Sequence, residues 1–182
     1  MLPVYIETQR LVIRPLEMTD DKNMFEMDSN PVVHRYVGGK PVHTIDEIRK
    51  VIAYVQQQYI DNGIGRWAVI EKESGRFIGW AGFKMLEGPV NGHSNFIDFG
   101  YRFARAYWQQ GYGKEAAKAT FDFGIRHLGY KEMFAMTDVD NIASRRILEG
   151  LGFECREIFE YDANPDWRVA GQPTTWYRWR IS

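Results

Sequence analysis

The amino-acid sequence predicts an α/β protein whose first half is antiparallel and whose second half contains at least one parallel crossover. Two observations lead to this class. Strand-like runs on both sides of the turn-forming tetrad 72–75 predict an antiparallel hairpin. From residue 132 onward the pattern of strand, helix and strand predicts a β-α-β unit. The chain has 182 residues, and we expect a single domain over residues 1–182.

Each predicted element rests on the spacing of its apolar residues. Residues such as Ile48, Ile52 and Val55 recur at three- and four-residue steps, which predicts an amphipathic helix. Partial alternation up to Pro15 predicts a strand instead. In chain order we predict strand 6–16, a helix that begins at Thr19 or Asp20 and ends before Pro31, helix 44–60, strands 66–71, 76–85 and 96–103, helix 111–128, strand 132–137, helix 141–151, a strand from Phe153 and strand 174–181.

Composition and charge exclude several classes of protein. With 45% hydrophobic and 26% charged residues the chain is globular, and no apolar run reaches the roughly 18 residues that span a bilayer. We therefore expect a cytoplasmic protein that does not bind membranes. The net charge of -1 predicts no nucleic-acid partner. Cys155 is the only cysteine and is expected to be buried; with four histidines that lack ligand spacing, no metal site is predicted.

The glycine-rich segment 108–116, Trp-Gln-Gln-Gly-Tyr-Gly-Lys-Glu-Ala, is the main functional signal. It lies between a predicted strand and a long helix, where free N–H groups and the helix dipole attract an anion. Glycine permits close backbone approach and positive φ, which we expect at Gly113. The segment predicts a phosphate-binding turn, although a plain glycine turn before a helix remains an alternative.

Two other phosphate motifs can be compared with this segment. A P-loop requires glycine and a hydroxyl residue where Trp108 and Glu115 stand. The dinucleotide spacing G-x-G-x-x-A is met by Gly111, Gly113 and Ala116, but in that fold the strand runs almost directly into the first glycine. Here residues 107–110 intervene and antiparallel strands precede them. A dinucleotide-dependent oxidoreductase stays open as an alternative.

Four segments, in order, resemble the GNAT N-acetyltransferases. They are T-x-R-L-x-I-R-P at 8–15, the strand 99–103, the loop 107–116, and the helix with its L-G-F turn at 141–153. The chain is similar in particular to the RimJ/RimL-like branch, the ribosomal-protein N-acetyltransferases and their relatives. The resemblance implies a central mixed, mostly antiparallel twisted sheet of about seven strands, flanked by helices and splayed at the cofactor cleft.

The resemblance also implies which residues bind acetyl-CoA. The pyrophosphate would lie on the glycine-rich loop, and the pantetheine arm would lie as an extra strand beside 101–103, where a backbone N–H would stabilise the thioester oxyanion. Asn141 would hold a pantetheine amide and would also cap a helix. The implied contacts are Tyr101, Arg102, Phe103, Gln109, Gln110, Gly111, Tyr112, Gly113, Lys114, Asn141 and Ser144.

Two residues are candidates for proton transfer. An amine is mostly protonated at neutral pH, so its attack on a thioester requires a base. Asp98 resembles the Glu that this branch often carries on the central strand, and it would act directly or through a water; alternatively, it pairs with an arginine such as Arg102. Many family members use a tyrosine as the acid, but Leu148 occupies that place. Ser144 is therefore the candidate, either as an acid or as a hydrogen-bond partner of the sulfur.

The sequence thus predicts an acyltransferase, an acetyl-CoA-dependent N-acetyltransferase in which a primary amine attacks directly in a ternary complex. The acceptor is either a protein or peptide N-terminus or a small amine, and residues 34–36 fall where the family builds its acceptor groove. A non-enzymatic acyl-CoA-binding or sensory domain is an alternative, because Leu148 and the short Asp98 depart from the family pattern. We expect a monomer or a homodimer.

Overall fold

Eight strands form one mixed sheet in the order β1-β2-β3-β4-β5-β6-β8-β7. The computed structural model describes residues 4–36, 40–160 and 171–181. The strands are β1 Ile6–Glu7, β2 Leu11–Arg14, β3 Arg66–Glu71, β4 Phe77–Leu86, β5 Phe96–Phe103, β6 Glu132–Asp138, β7 Glu154–Glu160 and β8 Pro173–Arg180. The helices are α1 Asp21–Asp28, α2 Pro31–His34, α3 Ile45–Asn62, α4 Tyr112–Arg126 and α5 Ile142–Gly150. Neighbouring strands are antiparallel except β5 and β6, which are parallel.

The sheet has eight strands instead of about seven, because residues 6–16 form two short strands rather than the single one predicted. The Thr8 N–H donates to Leu11 O at 2.9 Å, and the Leu11 N–H donates to Thr8 Oγ1 at 3.0 Å. These bonds close a turn that folds β1 back onto β2, with Ile6 opposite Ile13. The turn, residues 8–10, lies beside the first turn of α4.

The remaining predicted elements are confirmed, with ends that differ by a few residues. Helix α3 begins after Thr44, whose hydroxyl accepts the Glu47 N–H at 3.4 Å, and ends at Gly63, where φ is +71°. The β-α-β unit predicted from residue 132 is β6, α5 and β7; these two strands run parallel, but β8 lies between them in the sheet. The parallel neighbours are β5 and β6, which α4 connects. Helix α4 lies close to the sheet because Gly124 leaves room for the Phe83 ring; a Cβ there would come within 2.5 Å of it.

The two faces of β5 carry different chemistry because side chains alternate along a strand. Phe99 faces α4, and its ring centroid lies 6.2 Å from that of Phe121. Asp98 and Arg102 point to the opposite face, where Arg102 reaches Asp28 of α1. The apolar face of β5 therefore packs against α4, and the polar face is covered by the N-terminal helices, whose Met24 and Ile48 belong to the same hydrophobic cluster.

Cys155 does not lie in the core, contrary to the prediction from sequence. Its side chain is exposed on β7, which is the edge strand of the sheet. The main core reaches Phe153, two residues earlier, which is 3% exposed. The chain leaves the core between these two residues.

Candidate active site

The site begins where β5 and β6 separate. Strand β4 pairs with β5 along its length, from Gly79 opposite Phe103 to Leu86 opposite Phe96. The parallel partner β6 pairs with β5 at Asp98 and Phe134, and the described strands have no further ladder pair toward their C-terminal ends. Beyond Asp98, the backbone groups of β5 on the β6 side thus have no strand partner, although one of them, the Phe103 carbonyl, accepts the indole N–H of Trp108. The predicted splay of the sheet is confirmed, and Asp98 stands at its vertex.

The start of α4 lies beyond the open end of this splay. Gln109 and Gly111 both have left-handed φ, +60° and +84°, and no side chain caps the helix at Gly111. The Glu115 N–H donates to Gly111 O at 3.0 Å, so the N–H groups of the three residues between them have no acceptor within the helix. Three free donors together with the positive end of the helix dipole are an arrangement that attracts an anion.

The predicted loop residues play unequal parts. Positive φ occurs at Gly111 and not at Gly113, where it was expected, because Gly113 already belongs to the helix. Tyr112 is buried and its hydroxyl donates to Glu71 at 2.5 Å, so its side chain anchors the loop. Gln110 Nε2 donates to Ala106 O at 2.7 Å. The side chains of Gln109, Gln110 and Lys114 are exposed.

Asp98 is buried at the vertex and is paired with an arginine. The carboxylate accepts a hydrogen bond from Arg66, whose other terminal nitrogen donates to Asp98 O at 3.0 Å and to Gly82 O at 2.6 Å. The guanidinium crosses Gly100, where a Cβ would come within 3.0 Å of it. Asp98 therefore forms an ion pair with an arginine, which was the alternative to its role as a base, although the partner is Arg66 and not Arg102.

Arg102 lies on the same face and pairs with Asp28 at 2.8 Å. The Trp80 ring lies between the two arginines, 5.3 Å from the Arg102 guanidinium and 5.2 Å from that of Arg66. Arg102 holds the pKa of the Asp28 carboxyl below its usual value, although burial opposes this. His34, predicted near the acceptor groove, is buried with Nε2 3.5 Å from Asp28. The polar face thus carries two arginine–carboxylate pairs, one of them at the vertex.

Ser144 and Tyr101 meet on the opposite face. The Tyr101 hydroxyl lies 3.1 Å from Ser144 Oγ and also 3.1 Å from Ser144 O. Burial raises the pKa of Tyr101, so its phenol stays protonated across the neutral range. Asn141 Oδ1 accepts the Ser144 N–H at 3.2 Å and caps α5, as predicted. Leu148, at the position where many family members carry the phenol, is 2% exposed in the core.

Phe103 ends β5 and supports the loop. Its side chain is buried, and its carbonyl accepts the indole N–H of Trp108 at 2.7 Å. The chain then passes through a short helical turn, Arg105–Tyr107, before Gly111. In a dinucleotide-binding fold the strand would enter the first glycine almost directly. The geometry therefore differs from that alternative.

Comparison with known proteins identifies the family. Residues 10–154 match the family described as Acetyltransferase (GNAT) domain. The chain belongs to this GNAT family. It is an acyltransferase by this membership, and the oxidoreductase alternative and the non-enzymatic binding domain are set aside.

Relatives of this GNAT protein include characterised and uncharacterised members. YkkB of Bacillus subtilis, an uncharacterized protein, is 30% identical over 148 residues, which cover 80% of this chain and 82% of YkkB. The FsC-acetyl coenzyme A-N(2)-transacetylase of Aspergillus fumigatus is 29% identical over 167 residues, covering 88% and 70%. A RimL structure, a ribosomal L7/L12 alpha-N-protein acetyltransferase in complex with coenzyme A, has a TM-score of 0.81 at 14% identity and covers 98% of both chains. This likeness shows a shared fold.

At the sequence level Arg66 was not named, and Tyr101 was named only as a coenzyme contact, without its hydrogen bond to Ser144. Nothing in the sequence near Arg66 marks it as the partner of Asp98. The alternation of side chains along β5 was a usable signal for Tyr101. It lies three positions after Asp98, so its side chain is on the other face of the sheet. The described residues contain no group of three or more His, Cys, Asp or Glu placed to hold a metal ion. None of their helices is both long and apolar enough to cross a bilayer.

Proposed function

We propose that this protein transfers the acetyl group of acetyl-CoA to a primary amine, which attacks the thioester directly in a ternary complex. The observation that carries the proposal is the alignment of three features. The uncapped start of α4 lies at the open end of the splay, the unpaired edge of β5 runs along it, and Asp98 stands at its vertex. A phosphate-bearing thioester with a long amide arm fits this arrangement.

The residues present fit acetyl-CoA. The N–H groups of residues 112–114 would hold the pyrophosphate, with Gln109 and Gln110 beside it, because they are uncapped donors at a helix start. The free edge of 101–103 would bind the pantetheine amides as an added strand, and Asn141 would complete this contact. When bound, the coenzyme supplies an activated acyl carbonyl. A free β5 N–H would stabilise the oxyanion that develops there.

Asp98 would remove the proton from the acceptor ammonium. It reaches the vertex from the polar face, and Arg66 fixes its carboxylate through an ion pair with side chains only 14% and 12% exposed. The Asp side chain is short, and a water can carry the proton over the remaining distance. The acceptor would approach from this face, where the N-terminal helices cover the sheet.

Ser144 would donate a hydrogen bond to the sulfur from the apolar face. A thiol has a pKa of about 8.5, so the departing thiolate requires little help from an acid. Tyr101 acts through Ser144 as a positioning residue. The single phenol hydrogen has two acceptors at 3.1 Å, Ser144 O and Ser144 Oγ. When it goes to Oγ, the serine hydrogen is free to point toward the sulfur. The proposed base, Asp98, and the proposed hydrogen-bond donor, Ser144, thus lie on opposite sides of β5.

The names of two relatives support nitrogen as the accepting atom. The fungal relative is named for transfer from acetyl coenzyme A to N(2), and the RimL neighbour for acetylation of an alpha-amino group of a ribosomal protein. A protein N-terminus and a small amine are both compatible with the polar face. The choice between them is the first subject of the test.

The experiment is a thiol-release assay with acetyl-CoA and a panel of α-amino peptides, lysine-containing peptides with blocked N-termini, and small amines. We expect release above hydrolysis with at least one primary amine, and none with its N-acetylated counterpart. Mass spectrometry then identifies the product. If acetyl-CoA binds but no amine in the panel increases thiol release, the proposed transfer reaction is wrong.

A further inference from the structure

The Arg10 side chain connects the N-terminal hairpin to the loop at the start of α4. Its Nη1 donates to Gln110 O at 3.0 Å, one residue before the helix cap. Its Nε donates to Glu115 Oε2 at 2.8 Å, and its guanidinium carbon lies 4.1 Å from the centroid of the Tyr112 ring. One side chain therefore contacts the loop before, within and after its turn.

Glu115 is held by the same turn of the hairpin. Its Oε1 accepts hydrogen bonds from the Thr8 hydroxyl at 2.6 Å and from the Arg10 N–H at 3.0 Å. Burial opposes ionisation, but these bonds and the one from the guanidinium hold the pKa of Glu115 below its usual value. The carboxylate is thus ionised at neutral pH. Thr8 and Arg10 are the T and R of the T-x-R-L segment, and in the folded protein both bind the carboxylate of Glu115.

The position of this carboxylate has an electrostatic cost. A negative charge in the first helical turn interacts favourably with the dipole, but it repels a phosphate bound at the same helix end. Arg10 offsets this repulsion, because its guanidinium pairs with Glu115 at 2.7 Å. Without it, the loop would lose the bond to Gln110 O and would face an uncompensated carboxylate.

We propose that Arg10 is a positioning residue for acetyl-CoA, which fixes the left-handed loop before the coenzyme binds and neutralises Glu115 beside the bound pyrophosphate. The inference rests on the proposed function, since it assumes that acetyl-CoA is the ligand of the loop. It assigns two separable effects to Arg10, one on loop order and one on charge.

The test measures acetyl-CoA affinity by titration calorimetry, and amide hydrogen exchange of residues 109–114 in the unliganded protein. We expect Arg10→Ala to weaken binding about tenfold, the size of losing one charge-assisted contact, and to speed exchange in the loop. Adding Glu115→Gln to this variant should recover part of the affinity but leave exchange fast. The control is Arg14→Ala in the same hairpin, whose guanidinium pairs with Asp20 at 2.8 Å; it should lower stability without changing affinity.

Three results overturn the proposal. The first is a folded Arg10→Ala variant with the affinity of the parent, the second is unchanged exchange in the loop, and the third is an affinity loss that Glu115→Gln does not reduce. Failure of the proposed function looks different, because the parent itself would then not bind acetyl-CoA or would release no thiol with any amine.

Discussion

Replacing Asp98 by Asn separates a catalytic base from a structural ion-pair partner. Asn keeps the shape of the side chain and an oxygen that accepts from Arg66, but it cannot take up the amine proton. Asp98 is 8% exposed, and the Arg66 guanidinium keeps its bonds to Gly82 O and Asp98 O in the variant. We therefore expect a stability loss of about 1–3 kcal/mol, below the roughly 3–5 kcal/mol for a buried charge left without any partner.

The catalytic loss should be larger and should depend on pH. A positioned base contributes typically about 10² to 10⁴ in rate, so kcat of Asp98→Asn should fall by that factor at pH 7. An α-amino acceptor with a pKa of about 8 is roughly one-tenth unprotonated at pH 7 and mostly unprotonated at about pH 9.5. The deficit should therefore shrink about tenfold over this range. Affinity for acetyl-CoA should change by no more than a few-fold.

The matched control is Asp28→Asn, a second buried carboxylate that is paired with an arginine of β5. Its partner, Arg102, lies away from the vertex of the splay, so its loss should lower the melting temperature without a pH-dependent loss of kcat. The assay is thiol release at saturating acetyl-CoA across the pH range, with melting temperatures in the same buffers. Asp98 is no base if its variant keeps parental activity, or if its deficit is independent of pH and matches that of the control.

Three further expectations follow from the same contacts. Tyr101→Phe should lower kcat about three- to tenfold, the effect of one hydrogen bond of about 1 kcal/mol, with little change in KM. In a Ser144→Ala background the same substitution should cause no further loss of kcat, because Tyr101 acts through Ser144. A purely structural role would lower kcat equally in the parent and in the Ser144→Ala background. Gly111→Ala should destabilise the protein by about 1–2 kcal/mol, because Gly111 has a left-handed φ, and should weaken acetyl-CoA binding. Gly113→Ala should keep the melting temperature of the parent. Equal melting temperatures for the two variants would contradict the assignment of φ. The lowered pKa of Glu115 stabilises the fold above the usual value of 4.5, and this contribution is lost as pH falls through the folded-state pKa. Glu115→Gln should therefore lower the melting temperature most at neutral pH, and the difference from the parent should shrink steadily as the pH is lowered below 4.5. A difference that does not shrink in acid would exclude the linkage.

Local signals were sufficient for most elements of the fold. The predicted bounds of β5 and the cap at Asn141 agree with the structure, because periodicity and capping depend on residues only a few positions apart. The prediction of a single strand over 6–16 was wrong. There the Thr8 hydroxyl closes a turn by bonding the Leu11 N–H, a side-chain interaction that apolar alternation does not reveal.

The sequence by itself determined the order of the elements and the place of the glycine-rich loop, and through the four family-like segments it determined the fold to which they belong. Only the tertiary structure decided the partners of the site residues. Arg66 meets Asp98 across 32 positions, Tyr101 meets Ser144 across 43, and the Arg10 side chain meets Glu115 across 105. Such contacts depend on the order and register of the strands, and a shift of one residue would turn Asp98 to the other face of the sheet. No local pattern carries that information, so the partner of Asp98, the contact between Tyr101 and Ser144 and the bonds from Arg10 to the loop became visible only in the folded chain.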